Sequence, residues 1–194
     1  MDPTDQDAQL RQAAFDHVNR LAVLKGDVLD FADLALGFDF GGQRIPLINP
    51  QRGIFKPRQM AHLLSIKTVF PRKGGRIWYD DQREVHQQIY AGDDVVDYAF
   101  MGTDPNSADN RWLLDAMCEQ TPVIYFLGTS PGRYQPTIPS FMWGGTRSDY
   151  GFSLPSGPSW GRRLKLACQG LQSVAMRFVR SRRGYTKLRS EMPS

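Results

Sequence analysis

The sequence has little of what metal sites and disulfide scaffolds require. Its 194 residues include two cysteines, Cys118 and Cys168, which stand 50 positions apart with no CxxC pair. The three histidines are scattered, at His17, His62 and His86. A structural zinc ion takes four cysteine or histidine ligands at close spacings. We therefore expect two reduced thiols, ordinary surface or core histidines, and no bound metal or other cofactor.

Long apolar runs and leader signals are also missing. No stretch comes near the roughly 18 consecutive apolar residues that a membrane-spanning helix requires. The first residues, Met1–Gln9, are polar and acidic, unlike a secretory signal peptide. The sequence therefore predicts a cytoplasmic protein with no membrane partner.

Phosphate-binding loops are absent as well. Neither GxxxxGK[ST] nor GxGxxG occurs, so the sequence gives no reason to expect a nucleotide-dependent enzyme. A metal-dependent nuclease stays open as an alternative, because carboxylates in two clusters could gather a magnesium ion: Asp80, Asp81 and Glu84, or Asp93, Asp94 and Asp97. Acidic pairs in loops are usually only solvated, so we expect a binding protein with no catalytic residues.

What the sequence does contain is the composition of a globular protein, with 41% hydrophobic and 23% charged residues. Its 18 glycines and 13 prolines indicate many turns and short strands rather than a helical bundle. The charges are unevenly placed. Residues 159–194 hold nine Lys and Arg against one acid, whereas the rest holds 15 basic and 19 acidic residues. A basic tail on a globular body suggests a polyanion partner, although a solvated tail explains it equally well.

Hydrophobic periodicity predicts helices near the start of the chain. Asp7–Lys25 is amphipathic, with Gly26 as its C-cap, and Asp30–Leu36 is a second short helix. Phe38–Leu47 predicts a hairpin around a Gly-Gly turn. Gly53–Arg58 is interpreted as a loop entering a short helix.

The middle of the chain predicts strands around one inserted helix. Leu64–Phe70 and the apolar run Pro122–Leu127 are typical of strands, the second of a central one. Ser107 or Asp109 can cap the helix between them. Arg133–Trp143 contains Pro136 and Pro139, which favours an edge strand. We therefore predict an α+β fold whose mostly antiparallel sheet curls into a barrel.

Composition divides the chain into three parts. Residues 1–145 form the predicted domain, and residues 146–161 are a Gly/Ser/Pro-rich linker or loop. Residues 162–194 form the basic tail, in which Leu164, Leu171, Ala175 and Phe178 can line one face of an amphipathic helix.

The stretch Arg76–Gly102 carries the most specific pattern. It places the aromatic residues of two strands on either side of a polar loop, with the carboxylate pair Asp80-Asp81 at the end of the first strand. Aromatic faces can sandwich a planar base, and a carboxylate can accept from its amine. The alternative is a hairpin whose aromatic side chains only fill a core.

The same stretch resembles the SRA-type domains of the PUA superfamily. It is most similar to the SRA-like N-terminal domains of HNH endonucleases in modification-dependent (type IV) restriction. Four motifs of these domains recur in the same order over about residues 10–143: Gly53–Pro57, Tyr79–Asp81, Gly102–Pro105 and Ile124–Tyr134. A fifth matching segment, Asp109–Leu113, opens the inserted helix.

The resemblance implies a PUA/SRA-like barrel that binds double-stranded DNA containing 5-methylcytosine or a related modified cytosine. Its pocket for the flipped base would be lined by Trp78, Tyr79, Asp81, Tyr98 and Phe100, with Asp81 accepting from the N4 amine of cytosine. Five basic residues would bind phosphates: Lys56, Arg58, Arg72, Lys73 and Arg76.

Two departures from the family pattern matter. After Trp143 the chain has no histidine and one cysteine, so either an HNH nuclease module was lost or trimmed away, or the chain is a stand-alone reader. Phe100 stands where the family pattern has a tyrosine, which keeps the stacking but loses a hydroxyl contact. A PUA-like RNA-binding domain and a protein-interaction domain with core aromatics remain alternatives.

Overall fold

The computed structural model describes residues 3–68, 95–99, 107–143 and 173–178. Three helices and nine strands are found in these residues. In chain order they are α1 (Pro3–Lys25), β1 (Leu29–Asp30), α2 (Phe31–Leu36), β2 (Phe38–Phe40), β3 (Gln43–Ile45), β4 (Ile54–Phe55), β5 (Ser65–Lys67), β6 (Val95–Ala99), α3 (Ala108–Cys118), β7 (Val123–Ser130), β8 (Arg133–Trp143) and β9 (Ser173–Phe178).

Seven of the strands form one sheet in the order β4-β5-β7-β8-β9-β6, with β1 also paired to β8. Its pairs are antiparallel except for β5 and β7, which run parallel. The predicted α+β class with a mostly antiparallel sheet is thus confirmed. The sheet is open over the described strands, because β4 and β6 lie at its two ends and do not pair.

Strand β7 lies at the centre of the sheet between β5 and β8 and is buried on both faces. Val123, Tyr125 and Leu127 face one core cluster, whereas Ile124 and Phe126 face the other. This alternation explains the continuous apolar run, because a strand covered on both faces needs no polar positions. Each such side chain contributes about 1.5–3 kcal/mol on full burial. The predicted central strand is confirmed.

Helices α1 and α2 cover the face of the sheet that carries Ile124 and Phe126 of β7. Leu10, Ala14 and Val18 of α1 are almost fully buried beside Leu34 of α2. Their i, i+4 spacing puts the three α1 residues on one side of that helix. Gly26 ends α1 with φ 94°, and its N–H donates to the carbonyl of Ala22 at 3.0 Å, as the sequence predicted.

The hairpin β2–β3 packs beside these helices. Its turn residues Gly41 and Gly42 have φ 57° and 77°, the left-handed values that a two-residue turn requires. Phe38 pairs with Ile45 across the hairpin, and both are buried. The Gly-Gly signal therefore predicted the turn correctly.

Helix α3 covers the opposite face. The hydroxyl of Ser107 accepts from the N–H of Asn110 at 3.4 Å and so caps the helix, one of the two predicted positions. Leu113, Ala116 and Met117 are fully buried in the cluster that also contains Tyr125. The inserted helix is therefore confirmed, and it fixes the layer order as helices, sheet, helix.

Two local predictions about helices are wrong. Ile54–Phe55 in the Gly53–Arg58 segment is strand β4, not the start of a helix. Ser173–Phe178, which could have belonged to an amphipathic helix, forms strand β9 between β8 and β6.

No described helix is long and apolar enough to cross a membrane.

Strand β8 was predicted to be an edge strand, and instead it pairs on both sides. One edge pairs with β7, while the other pairs with β1 at Arg133–Tyr134 and with β9 at Ser140–Trp143. Pro136 and Pro139 fall between these two short pairings. Between residues 134 and 140 this edge of β8 pairs with no described strand, so it needs no N–H donors there and prolines are tolerated.

Candidate functional site

The residues predicted to hold a flipped base are mostly outside the described residues. Trp78, Tyr79, Asp81 and Phe100 belong to the undescribed segments, and so do Arg72, Lys73 and Arg76. Tyr98 lies on β6, where its backbone is paired with Val174 of β9. Of the predicted phosphate-binding residues, Lys56 and Arg58 are described.

The acidic clusters considered for a magnesium ion are also outside the described residues, except Asp97 on β6. Over the part of the chain that the structure describes, no three His, Cys, Asp or Glu side chains gather as metal ligands. The nuclease alternative thus stays a prediction.

Lys56 and Arg58 belong to an acid-free stretch, residues 49–58, which we call the basic segment. It also contains Arg52, whose side chain is 58% exposed, and Arg58 is exposed too. Sequence reasoning overlooked Arg52, although the lack of acids between positions 49 and 58 was a signal for it. The segment presents three cations close together in the chain, a pattern suited to a polyanion.

Lys67 of β5 supports the basic segment from beneath. Its Nζ donates to the carbonyl oxygens of Asn49 at 2.6 Å and Pro50 at 3.1 Å, and it lies 5.6 Å from the ring centre of Phe31. The residue is only 5% exposed, and this burial lowers the pKa of its ammonium below the ordinary value. Sequence reasoning could not find this role, since it depends on a contact between distant segments.

Two contacts join the basic segment to the first turns of α3. The guanidinium of Arg52 lies 3.2 Å from the Asp109 carboxylate, and Lys56 Nζ lies 5.3 Å from the ring centre of Trp112. Asp109 and Trp112 are three residues apart and so share one side of the helix. Lys56 Nζ also donates to the carbonyl of Met60 at 2.8 Å, which leaves it half-buried.

This arrangement suits anion binding better than catalysis. The exposed guanidiniums of Arg52 and Arg58 can each donate two parallel hydrogen bonds to a phosphate. Trp112 adds a half-buried aromatic surface beside them. Lys56, which was predicted to meet phosphates, is half-buried and donates to Met60. Arg52 also has a partner, Asp109, but its side chain is 58% exposed and its guanidinium carries further N–H donors, so it is the better candidate for such a contact.

A second polar cluster lies at the other end of α3, and we call it the Asp7 network. The carboxylate of Asp7 accepts from the backbone N–H groups of Ala61 and His62 and lies 3.0 Å from Nδ1 of His62. The other ring nitrogen of His62 lies 2.7 Å from Glu119. Because carboxylates occupy both ring nitrogens, His62 has no nitrogen left for a substrate, and its role is structural.

Arg11 completes the Asp7 network. Its Nη1 donates to the carbonyls of Leu63 at 2.7 Å and Pro122 at 2.8 Å, and Nη2 lies 3.7 Å from Asp7. Burial lowers the pKa of the Arg11 guanidinium, an effect that the Asp7 charge opposes. The network therefore ties α1 to the loops that precede β5 and β7.

The sequence GxSxG, the spacing of a hydrolase nucleophile elbow, occurs at Gly128–Gly132 and at Gly157–Gly161. An elbow needs a turn from a strand into a helix. Gly128–Gly132 instead joins β7 to β8, where Ser130 pairs with Arg133. The first of these sequences is therefore a hairpin turn, and the second lies outside the described residues.

No protein family model, no curated protein and no solved structure matches the chain. Any functional assignment consequently depends on the ordered motifs and on the contacts of the described residues.

Proposed function

We propose that this protein binds double-stranded DNA containing 5-methylcytosine, or a related modified cytosine, by flipping the base out of the helix. It acts as a reader and does not cut the DNA. The base enters a pocket lined by Trp78, Tyr79, Asp81, Tyr98 and Phe100, within a fold of the PUA/SRA type.

One observation carries the proposal. The motif segments Gly53–Pro57 and Asp109–Leu113 are more than fifty positions apart, yet they touch through Lys56 and Trp112. Arg52, the residue before the first of these segments, adds a contact with Asp109 of the second. Motifs that recur in order along a sequence gain support as parts of one site when they also meet in space.

The sheet supports the same grouping. Gly53–Pro57 contains β4, which pairs with β5, and Ile124–Tyr134 contains most of β7, which pairs with β5 on its other side. Two of the motif segments therefore pair with the same strand, β5.

The chemistry of the proposed pocket fits cytosine. Extruding a base costs a few kcal/mol, and stacking on aromatic rings returns about 1–3 kcal/mol per base. Asp81 accepts a hydrogen bond from the exocyclic amine of cytosine, which thymine lacks. The exposed cations of the basic segment add affinity that does not depend on sequence and that falls as salt rises.

The test measures binding to one duplex carrying unmodified, 5-methyl, 5-hydroxymethyl or N4-methyl cytosine at a single position, by fluorescence anisotropy at fixed salt. We expect a modified duplex to bind more tightly than the unmodified one. Asp81→Ala should weaken that binding by more than about tenfold. Asp39→Ala is the matched control, because it removes one negative charge from an exposed strand residue and should leave the preference unchanged.

Other outcomes would overturn the proposal. Equal affinity for modified and unmodified duplexes contradicts modified-base reading. Tighter binding to RNA of the same sequence favours the PUA-like RNA-binding alternative. Cleavage of methylated plasmid in the presence of magnesium or manganese favours the nuclease alternative.

A further inference from the structure

We propose that Lys67 is a positioning residue for DNA binding: it holds the turn at 49–53 so that Arg52 meets a phosphate. The inference rests on the proposed function and adds to it a residue that cannot touch DNA itself.

Lys67 holds this turn at both ends. Its side-chain Nζ donates to the carbonyls of Asn49 and Pro50 at the start of the turn. Its backbone N–H donates to the carbonyl of Gly53, at 2.7 Å, at the end of the turn. One residue of strand β5 thus holds both ends of this five-residue turn.

Asn49 passes this restraint on to Arg52. While its carbonyl accepts from Lys67, its side-chain Oδ1 accepts from the backbone N–H groups of Gln51 at 2.8 Å and Arg52 at 3.1 Å. The backbone of Arg52 is therefore fixed by hydrogen bonds that begin at the Lys67 ammonium. Its guanidinium is held at the surface by Asp109.

The charge of Lys67 is unusual for a residue with only a structural role. Among the described residues no carboxylate lies within ion-pair distance of it, and its neighbours are two carbonyls and the Phe31 ring. Burying an ammonium without an acid is costly, and an apolar side chain could fill the same space. The buried charge of Lys67 is explained if this residue orders the basic segment above it for binding to an anionic partner.

The first test is a double-mutant cycle on affinity for the modified duplex. Arg52→Ala and Lys67→Met should each weaken binding by roughly three- to tenfold. The double variant should bind no more weakly than Arg52→Ala alone, because Lys67 acts through Arg52. Lys25→Met, which removes an exposed lysine paired with Asp33, is the control and should bind like wild type.

Salt dependence separates positioning from general loss of structure. Removing one phosphate contact lowers the slope of log affinity against log salt by about 0.9. Arg52→Ala should show this decrease, and Lys67→Met should show the same decrease although Lys67 is buried. An unchanged slope for Lys67→Met, or independent losses in the double variant, overturns the inference.

A measurement without DNA keeps this inference distinct from the proposed function. In Lys67→Met the amide protons of Gln51 and Arg52 should exchange faster with solvent, while those of β7 stay as protected as in wild type. If the wild-type chain binds no DNA, the proposed function fails and the inference fails with it. If DNA binds and the two amides exchange at wild-type rates, only the positioning role of Lys67 is overturned.

Discussion

Arg11 and Lys67 are two buried cations that do similar work at two places in the molecule. Arg11 donates to the carbonyls of Leu63 and Pro122, and Lys67 donates to those of Asn49 and Pro50. The difference lies in their charge balance. Arg11 has the Asp7 carboxylate 3.7 Å away, whereas no described carboxylate pairs with Lys67.

This difference separates a structural junction from a candidate interface. In the Asp7 network the positive charge of Arg11 is matched by the Asp7 carboxylate, 3.7 Å away. Beneath the basic segment no described carboxylate matches the charge of Lys67, which lies under the same segment as exposed Arg52 and Arg58. Such an excess of positive charge favours an anionic ligand.

The largest effect on stability should come from removing Arg11 from the Asp7 network. Arg11→Met leaves two buried carbonyls and the Asp7 carboxylate without their cation, so the free energy of unfolding should fall by about 3 kcal/mol. Urea denaturation checks this. Arg20→Met changes an exposed arginine of the same helix and should cost less than about 0.5 kcal/mol. Equal losses in the two variants would contradict a structural role for the Asp7 network.

A smaller loss of stability is expected when Lys67 is replaced. Lys67→Met also leaves two carbonyls without a donor, but it removes the cost of burying a charge. The free energy of unfolding at neutral pH should therefore fall by only about 1 kcal/mol. Denaturation in urea beside Arg11→Met measures the difference, and a loss as large as that of Arg11→Met would erase the distinction between the two sites.

The two sites should also differ in alkaline solution. Burial lowers the pKa of Lys67 in the folded chain, so between that pKa and the ordinary 10.5 the unfolded chain binds more protons. The contribution of Lys67 to stability must therefore rise with pH across this interval. Lys67→Met should lose this rise when unfolding is followed at several alkaline pH values, and Lys25→Met should keep it.

Asp109→Asn should have a modest effect at the junction with α3. The Asp109 side chain is 8% exposed but its partner Arg52 is 58% exposed, which weakens the ion pair. The carboxylate also lies in the first turn of α3, where a negative charge is favourable. Together these effects predict a loss of about 1 kcal/mol in thermal or urea unfolding. A loss near that of Arg11→Met would show that the pair is structural.

The smallest effect is expected for Glu119→Gln. Its side chain is 48% exposed, and glutamine keeps an oxygen that can accept from His62. The free energy of unfolding should change by no more than about 0.5 kcal/mol. A larger change would place Glu119 among the essential members of the Asp7 network.

The parts of the fold that the sequence predicted are those with strong local signals. The 3.6-residue period of α1, the Gly41-Gly42 turn and the apolar run of β7 each specify one structure without distant contacts. Ser173–Phe178 gave no such signal, because its short apolar pattern fits a helix as well as a strand. Its conformation is decided by pairing with β8 and β6.

The candidate site divides in the same way. Lys56 and Arg58 could be found as cations in a motif, but a motif does not show that Lys56 Nζ is already bound to Met60. Lys67 looked like one polar residue in a strand. Its part in the site depends on β5 lying under residues 49–53, a contact that no local pattern encodes.

Strand β9 has a practical consequence for anyone who shortens this chain. A fragment that stops before Ser173 lacks β9, the strand that pairs with both β8 and β6. One edge of each of these two strands would then lose its partner. Unpaired edges of this kind recruit strands from neighbouring molecules and drive aggregation. Fragments made for crystallisation or binding assays should therefore extend past Phe178, even though composition alone suggests ending them near residue 145.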